Sequence, residues 1–320
     1  IIRSDGVADV TIQADQLVNS VTSGTNVIDA QSAGFVNIVG PTSAEALEVS
    51  APGISVTLTD NPNSSSRVNI VGDSDFLKVA GNRSDIEVTE LLTGNQLTMK
   101  QQTSDFVLTV DPLSVEGILY IDESDIALGD INTTADQTLA VRLGNTASIS
   151  AAPTGFNLNI AGDLLLVAGG NIGTSSEPLT VPGGRTSIIA GGEVNIETAA
   201  PDLTVAEVRQ FDPFGNEVAF GEGFQSGGDL TIRLTDDSGT LLTQEEDIRS
   251  TSGNVAIDIL EGRLVQSPGV ANPAPEISGG TVALSVSGDA GNYDGTTATP
   301  IRINADSLVI NGGADVILEQ

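Results

Sequence analysis

One motif recurs along the second half of the chain and constrains its folding more than any other feature. A glycine is followed by one or two variable residues and then by aliphatics. It reads Gly162-Asp163-Leu164-Leu165-Leu166, then Gly192-Glu193-Val194-Asn195-Ile196. It returns as Gly228-Asp229-Leu230-Thr231-Ile232, Gly253-Asn254-Val255-Ala256-Ile257 and Gly280-Thr281-Val282-Ala283-Leu284. A variant, Gly313-Ala314-Asp315-Val316-Ile317-Leu318, closes the series. Glycine turns the chain, and the alternating aliphatics build a strand with one apolar face. Repetition at this spacing predicts units that stack on one another rather than a single closed core.

The first half carries the same texture less regularly. Short apolar runs occupy Val7–Ile12, Phe35–Val39, Leu47–Val49, Ile54–Leu58, Val68–Val71, Phe76–Val79, Ile86–Val88, Phe106–Val110 and Ile118–Ile121. Turn formers such as Asp60-Asn61-Pro62-Asn63 and Thr93-Gly94-Asn95 separate them. No stretch of a dozen residues shows helical spacing with caps at both ends. The expectation is an all-β chain. Two architectures give short strands at this spacing: a right-handed parallel β-helix (β-solenoid) with protruding loops, or tandem β-sandwich domains. An ungapped self-match favours the first. Pro178-Leu179-Thr180-Val181 lies on Pro300-Ile301-Arg302-Ile303, and Ile188, Val194 and Ile196 then fall on Ile310, Val316 and Leu318. Parallel strands need a crossover, and in a solenoid the rest of each coil supplies it.

Composition narrows the chemistry. There are no cysteines and no histidines, so disulfides, thiol sites and the commonest general base are excluded. A serine nucleophile has no histidine partner. Lysine and arginine number 12 against 43 acidic residues, a net charge of −31. Nucleic acid and anionic membranes are therefore poor partners. No apolar run reaches the length of a membrane-spanning helix. Only ten residues are aromatic, eight of them Phe, so Val, Ile, Leu and Ala must fill the core. Both ends fall within patterned segments, as in a portion of a larger protein whose export signal and anchor lie elsewhere.

The segment from Leu164 through Ala168-Gly-Gly-Asn-Ile-Gly-Thr-Ser-Ser-Glu-Pro-Leu-Thr-Val181, followed by Gly191-Gly-Glu-Val-Asn-Ile196, resembles the repeats of filamentous-haemagglutinin-type bacterial exoproteins. The resemblance is clearest over residues 160–320 and compositional over 1–155. It implies a right-handed parallel β-helix, an extracellular or cell-surface location, and adhesion. The expected organisation is a less regular solenoid over 1–155 and a haemagglutinin-like one over 156–320, forming one continuous rod.

Composition breaks at residues 209–227, which hold Phe211, Phe214, Phe220 and Phe224, half of all the phenylalanines. This segment reads as a loop leaving the stack, and the four rings as a contact surface for a glycan or protein of a host or neighbouring cell, or for self-association. The competing reading has the rings folding back over the flank. Further breaks are expected at Ser267–Pro275 and Gly288–Thr299. Acidic clusters include Asp73/Asp75, Glu245/Glu246/Asp247, Asp122/Glu123/Asp125/Asp130 and Asp236/Asp237. Asp122, Glu123, Asp125, Asp236 and Asp237 are the candidate calcium ligands, since closely spaced carboxylates supply the oxygens calcium takes. Solvated acidic turns are the alternative. No other cofactor is expected.

The functional expectation is a structural or adhesive stalk segment that is not an enzyme. One alternative is a carbohydrate-active β-helix, a depolymerase or glycan-binding module, which needs paired carboxylates in a cleft. The other is a calcium-stiffened string of β-sandwiches.

Overall fold

A computed structural model describes residues 125–133, 138–144, 146–152, 158–211, 217–267, 274–293, 298–312 and 315–319. Before residue 125 it describes the backbones of strands alone. The described residues contain strands and no helix, and most strand pairings are parallel. Contacts divide the chain into two compact units. The first comprises 1–147, 152–162 and 209–219; the second comprises 148–151, 163–208 and 220–320.

In the first unit, all nine apolar runs read from the sequence fall in or overlap strands, from Val10–Gln13 to Gly117–Asp122. Phe35–Val39, Gly53–Leu58, Phe76–Gly81, Gly117–Asp122 and Thr138–Leu143 form one parallel series. A second series runs through Asn26–Asp29, Ala44–Ser50, Arg67–Asp73 and Asp85–Glu90. Antiparallel pairing joins Asp85–Glu90, Asn95–Gln102 and Asp105–Leu113.

The second unit carries three parallel ladders, and each successive strand in a ladder is here called a rung. In one ladder Ile188, Phe224, Ile248, Ile277 and Ile303 are in register. In the next, Val194, Leu230, Val255, Val282 and Leu308 are in register, and Ile196, Ile232, Ile257, Leu284 and Ile310 two residues on. The third sets Leu203, Leu242 and Leu264 in register, and bridges continue it to Ala290 and Val316. These aliphatics are buried except near the last rungs. Burying each contributes about 1.5–3 kcal/mol, and parallel registry stacks them into continuous apolar columns. Intervening residues such as Thr231, Arg233, Ala256 and Asp258 face outward, which is the period-two alternation of the motif.

Two glycines at turns, Gly227 and Gly253, have a steric cause. A side chain on Gly227 would meet the Gly191 carbonyl, its carbonyl carbon lying 2.7 Å from the new Cβ. On Gly253, a Cβ would lie 2.6 Å from both Gly228 C and Asp229 N. At these corners the backbone of one rung rests directly on the last, and only glycine fits. The openers at Gly192, Gly228, Gly253 and Gly280 share one ladder by register, although a Cβ on Gly280 would meet nothing closer than 3.5 Å.

The self-match is corrected. Ile188 stands in register with Ile303, not Ile310, and Ile196 with Ile310, not Leu318. Each match lands one ladder away, because rungs are separated by unequal lengths of chain and no single offset holds.

Candidate functional site

The segment expected to leave the stack does so over a shorter span than 209–227. The chain departs after Leu203–Val205 and returns at Gly223, where Gly223 N donates to Ala206 O at 3.2 Å. Gly223 has φ +67, and a Cβ there would lie 3.1 Å from Asp247 N, so the return turn needs glycine. Between these points, Glu207–Phe211 and Glu217–Glu222 pair as a two-stranded sheet. Arg209 Nη1 donates to Glu217 Oε2 at 2.6 Å.

The four phenylalanines have different fates. Phe211 is 50% exposed and Phe220 41% exposed. Phe214 lies outside the described residues. Phe224 is fully buried, which removes it from the expected contact surface. It begins the strand Phe224–Ser226, and in register it stacks between Ile188 and Ile248. Its position relative to the ladder decides this, and the break in composition hid that position.

The candidate calcium ligands are scattered. Asp122 ends the strand Gly117–Asp122, and Asp125 is exposed just before the strand Ile126–Thr133. Glu123 lies outside the described residues. Asp236 is occupied by its own turn: Ser238 N donates to Oδ1 at 3.1 Å and Ser238 Oγ to Oδ2 at 2.6 Å. Asp237 beside it is exposed. Among the described residues, no three acidic side chains gather as a metal requires. The Gly288–Thr299 break contains a short antiparallel pair, Asn292–Tyr293 with Ala298–Thr299, and residues 268–273 of the other break lie outside the described residues.

A charged corner emerges where the inserted segment rejoins the second unit. The turn 245–247 lies under it: Glu245 N and Glu246 N both donate to Val205 O, at 3.0 and 3.2 Å, and Phe224 N donates to Asp247 O at 2.9 Å. Phe224 is in register with Ile248, and Glu222 and Glu246 each stand two residues before that pair, with the turn at Gly223 packed on Asp247 between them. Arg185 from the preceding rung donates to Glu245 Oε2 at 2.5 Å and to Glu207 O at 3.1 Å, and its Nε lies 3.8 Å from Asp163. Burial, together with the charge and hydrogen bond of Glu222 and the charges of Glu207 and Asp247, pushes Glu246 up to about 7. Burial also raises Asp163, against the pull of Arg185 and with the push of Glu245. The sequence showed Glu245/Glu246/Asp247 as a cluster. It did not show Glu222 or Arg185, which only the ladder brings there.

Among the described residues, no helix is long and apolar enough to cross a membrane, which leaves strand-built membrane barrels untouched. No protein-family model, curated protein or solved structure matches this chain.

Proposed function

We propose that this chain is a structural and adhesive segment of a large extracellular or cell-surface bacterial protein. In this reading the three ladders of the second unit are the faces of a right-handed parallel β-helix, and contact residues ride on segments that leave it. The protein acts by geometry and surface chemistry, without catalysis. The supporting observation is the in-register run of Ile188, Phe224, Ile248, Ile277 and Ile303, repeated in its neighbouring ladder. Stacked repeats of this kind carry binding on their insertions while the stack supplies rigidity. It accords with the resemblance of residues 160–320 to haemagglutinin-type repeats. Phe211 and Phe220 support a contact role for the inserted segment, since both are exposed while Val208, Gln210 and Ala219 of the same two strands are buried. Exposed aromatics offer stacking area to a sugar ring or a protein surface.

The test is binding of the purified chain to immobilised glycans and to cell layers, alongside Phe211→Ser and Phe220→Ser. Saturable binding that weakens at least tenfold in either variant is the expected result. Absence of binding to every surface, or binding that both variants retain, refutes the adhesive reading.

A further inference from the structure

We propose that Glu222 and Glu246 form a proton-dependent clasp that fastens the root of the inserted segment 207–222 to the turn below it, closed at mildly acidic pH and loosened above neutrality.

The argument starts from registry. Parallel in-register strands stand about 4.8 Å apart, so matching side chains on neighbouring rungs are forced together. Phe224 pairs with Ile248, two residues earlier along each chain stand Glu222 and Glu246, and the Gly223 turn between them packs on Asp247. Their backbones are held close, because Phe224 N is bonded to Asp247 O and Glu246 N to Val205 O. Two carboxylates at this separation repel, whereas a carboxyl and a carboxylate share a proton in a hydrogen bond.

The surroundings do not relieve the repulsion. Glu207 faces the pair from the departing strand, and Glu245 and Asp247 flank Glu246 on its own turn. Arg185 reaches this corner and is engaged by Glu245, the Glu207 carbonyl and Asp163, while Arg249 donates to Gln225 Oε1 at 2.6 Å. From the following rung, Glu276 brings its backbone N–H to Asp247 Oδ1 at 2.9 Å and another carboxylate with it. The shift of Glu246 to about 7 agrees with this placement.

The sign follows from linkage. A glutamate raised from 4.5 to about 7 holds its proton in the folded corner over a range where the unfolded chain has released it. Its contribution is fully present below pH 4.5 and is lost as pH rises through about 7. The loss falls on the contacts that Glu222 and Glu246 bracket. These are Gly223 N to Ala206 O, which closes the root, and Phe224 N to Asp247 O, which docks it.

Hydrogen exchange at those two amides, corrected for intrinsic rate, reads the clasp directly. In the wild-type chain, protection of Gly223 and Phe224 should fall about tenfold between pH 5 and pH 8, with a midpoint near neutrality. Protection at Val255–Ile259 should stay level. Glu246→Gln imitates the protonated state and should keep Gly223 and Phe224 protected at pH 8. Glu177→Gln, at an exposed site elsewhere, should behave as wild type. Level protection in the wild-type chain, or a fall that survives Glu246→Gln, overturns the proposal. Should that variant fail to fold, the carboxyl-carbon resonance of Glu246 in the wild-type chain decides: a midpoint near 7 supports the clasp, and one near 4.5 overturns it.

Discussion

Replacing Phe224 with alanine should cost the second unit about 3–5 kcal/mol. The magnitude comes from its position. The ring is wholly buried, with Ile188 on the rung before and Ile248 on the rung after, both also fully buried. A phenylalanine buries about 150–250 Å², which at about 25 cal/mol per Å² gives about 4–6 kcal/mol as an upper bound. Relaxation should recover little, because the backbone on either side is held. Phe224 N donates to Asp247 O and Ile188 N to Gly223 O. Phe224→Leu, which keeps most of the volume, should cost only about 1–1.5 kcal/mol. Denaturant unfolding followed by circular dichroism in the β band measures both variants. Amide exchange restricted to Ile188–Ala190 and Ile248–Ser250 localises the damage. A loss below about 1 kcal/mol for Phe224→Ala would refute the reasoning, since it would mean that the ring does not fill the column.

Other outcomes follow from the same geometry. Phe211→Ser and Phe220→Ser, at exposed positions, should leave stability within about 0.5 kcal/mol of wild type in the same unfolding assay. Gly227→Ala should destabilise by about 3 kcal/mol or more, because the new methyl meets the Gly191 backbone and prises two rungs apart. Gly239→Ala, with φ +98 and open space around it, should cost only about 1–2 kcal/mol, and thermal melts compare the two. The Asn254 side chain accepts from Thr281 N at Oδ1 (3.0 Å) and donates from Nδ2 to Asp229 Oδ1 (3.2 Å). Asn254→Ala should therefore cost about 1–2 kcal/mol. Asn254→Asp should add a loss that appears on raising the pH through the carboxylate range, seen as a melting temperature that falls between pH 3 and pH 6.

Much of this was readable in advance, for a physical reason. A ladder repeats its side-chain environment, so the openers at Gly192, Gly228, Gly253 and Gly280 advertise the same corner and share a register. Apolar runs such as Phe35–Val39 coincide with strands because one face must be buried. What the pattern could not supply was the length of chain between rungs. The self-match slipped by one ladder for this reason, and Phe224 was grouped with an insertion instead of with the column it completes. Asn95–Gln102 was missed because Asn-Gln-Leu-Thr-Met-Lys-Gln-Gln lacks a clear apolar alternation, and its antiparallel neighbours define it. The acidic corner was half legible. Glu245, Glu246 and Asp247 are adjacent in sequence, but Glu222 and Arg185 reach them only through pairing between rungs.

The laddered plan also determines how the second unit comes apart. Each strand of a ladder is bonded to the strand before it and the strand after it, so along a ladder the backbone links run between nearest neighbours. The strand Ile301–Gly312 is the least covered strand of its ladder among the described residues. Only Ile301 and Arg302 gain a partner on their far side, and Val309 and Ile310 remain 48% and 39% exposed. Melting should advance along a ladder one strand at a time, slowing wherever a column is well filled. An array of this kind can gain or lose repeats during evolution without redesign, because each new member needs to fit only the surface left by the last.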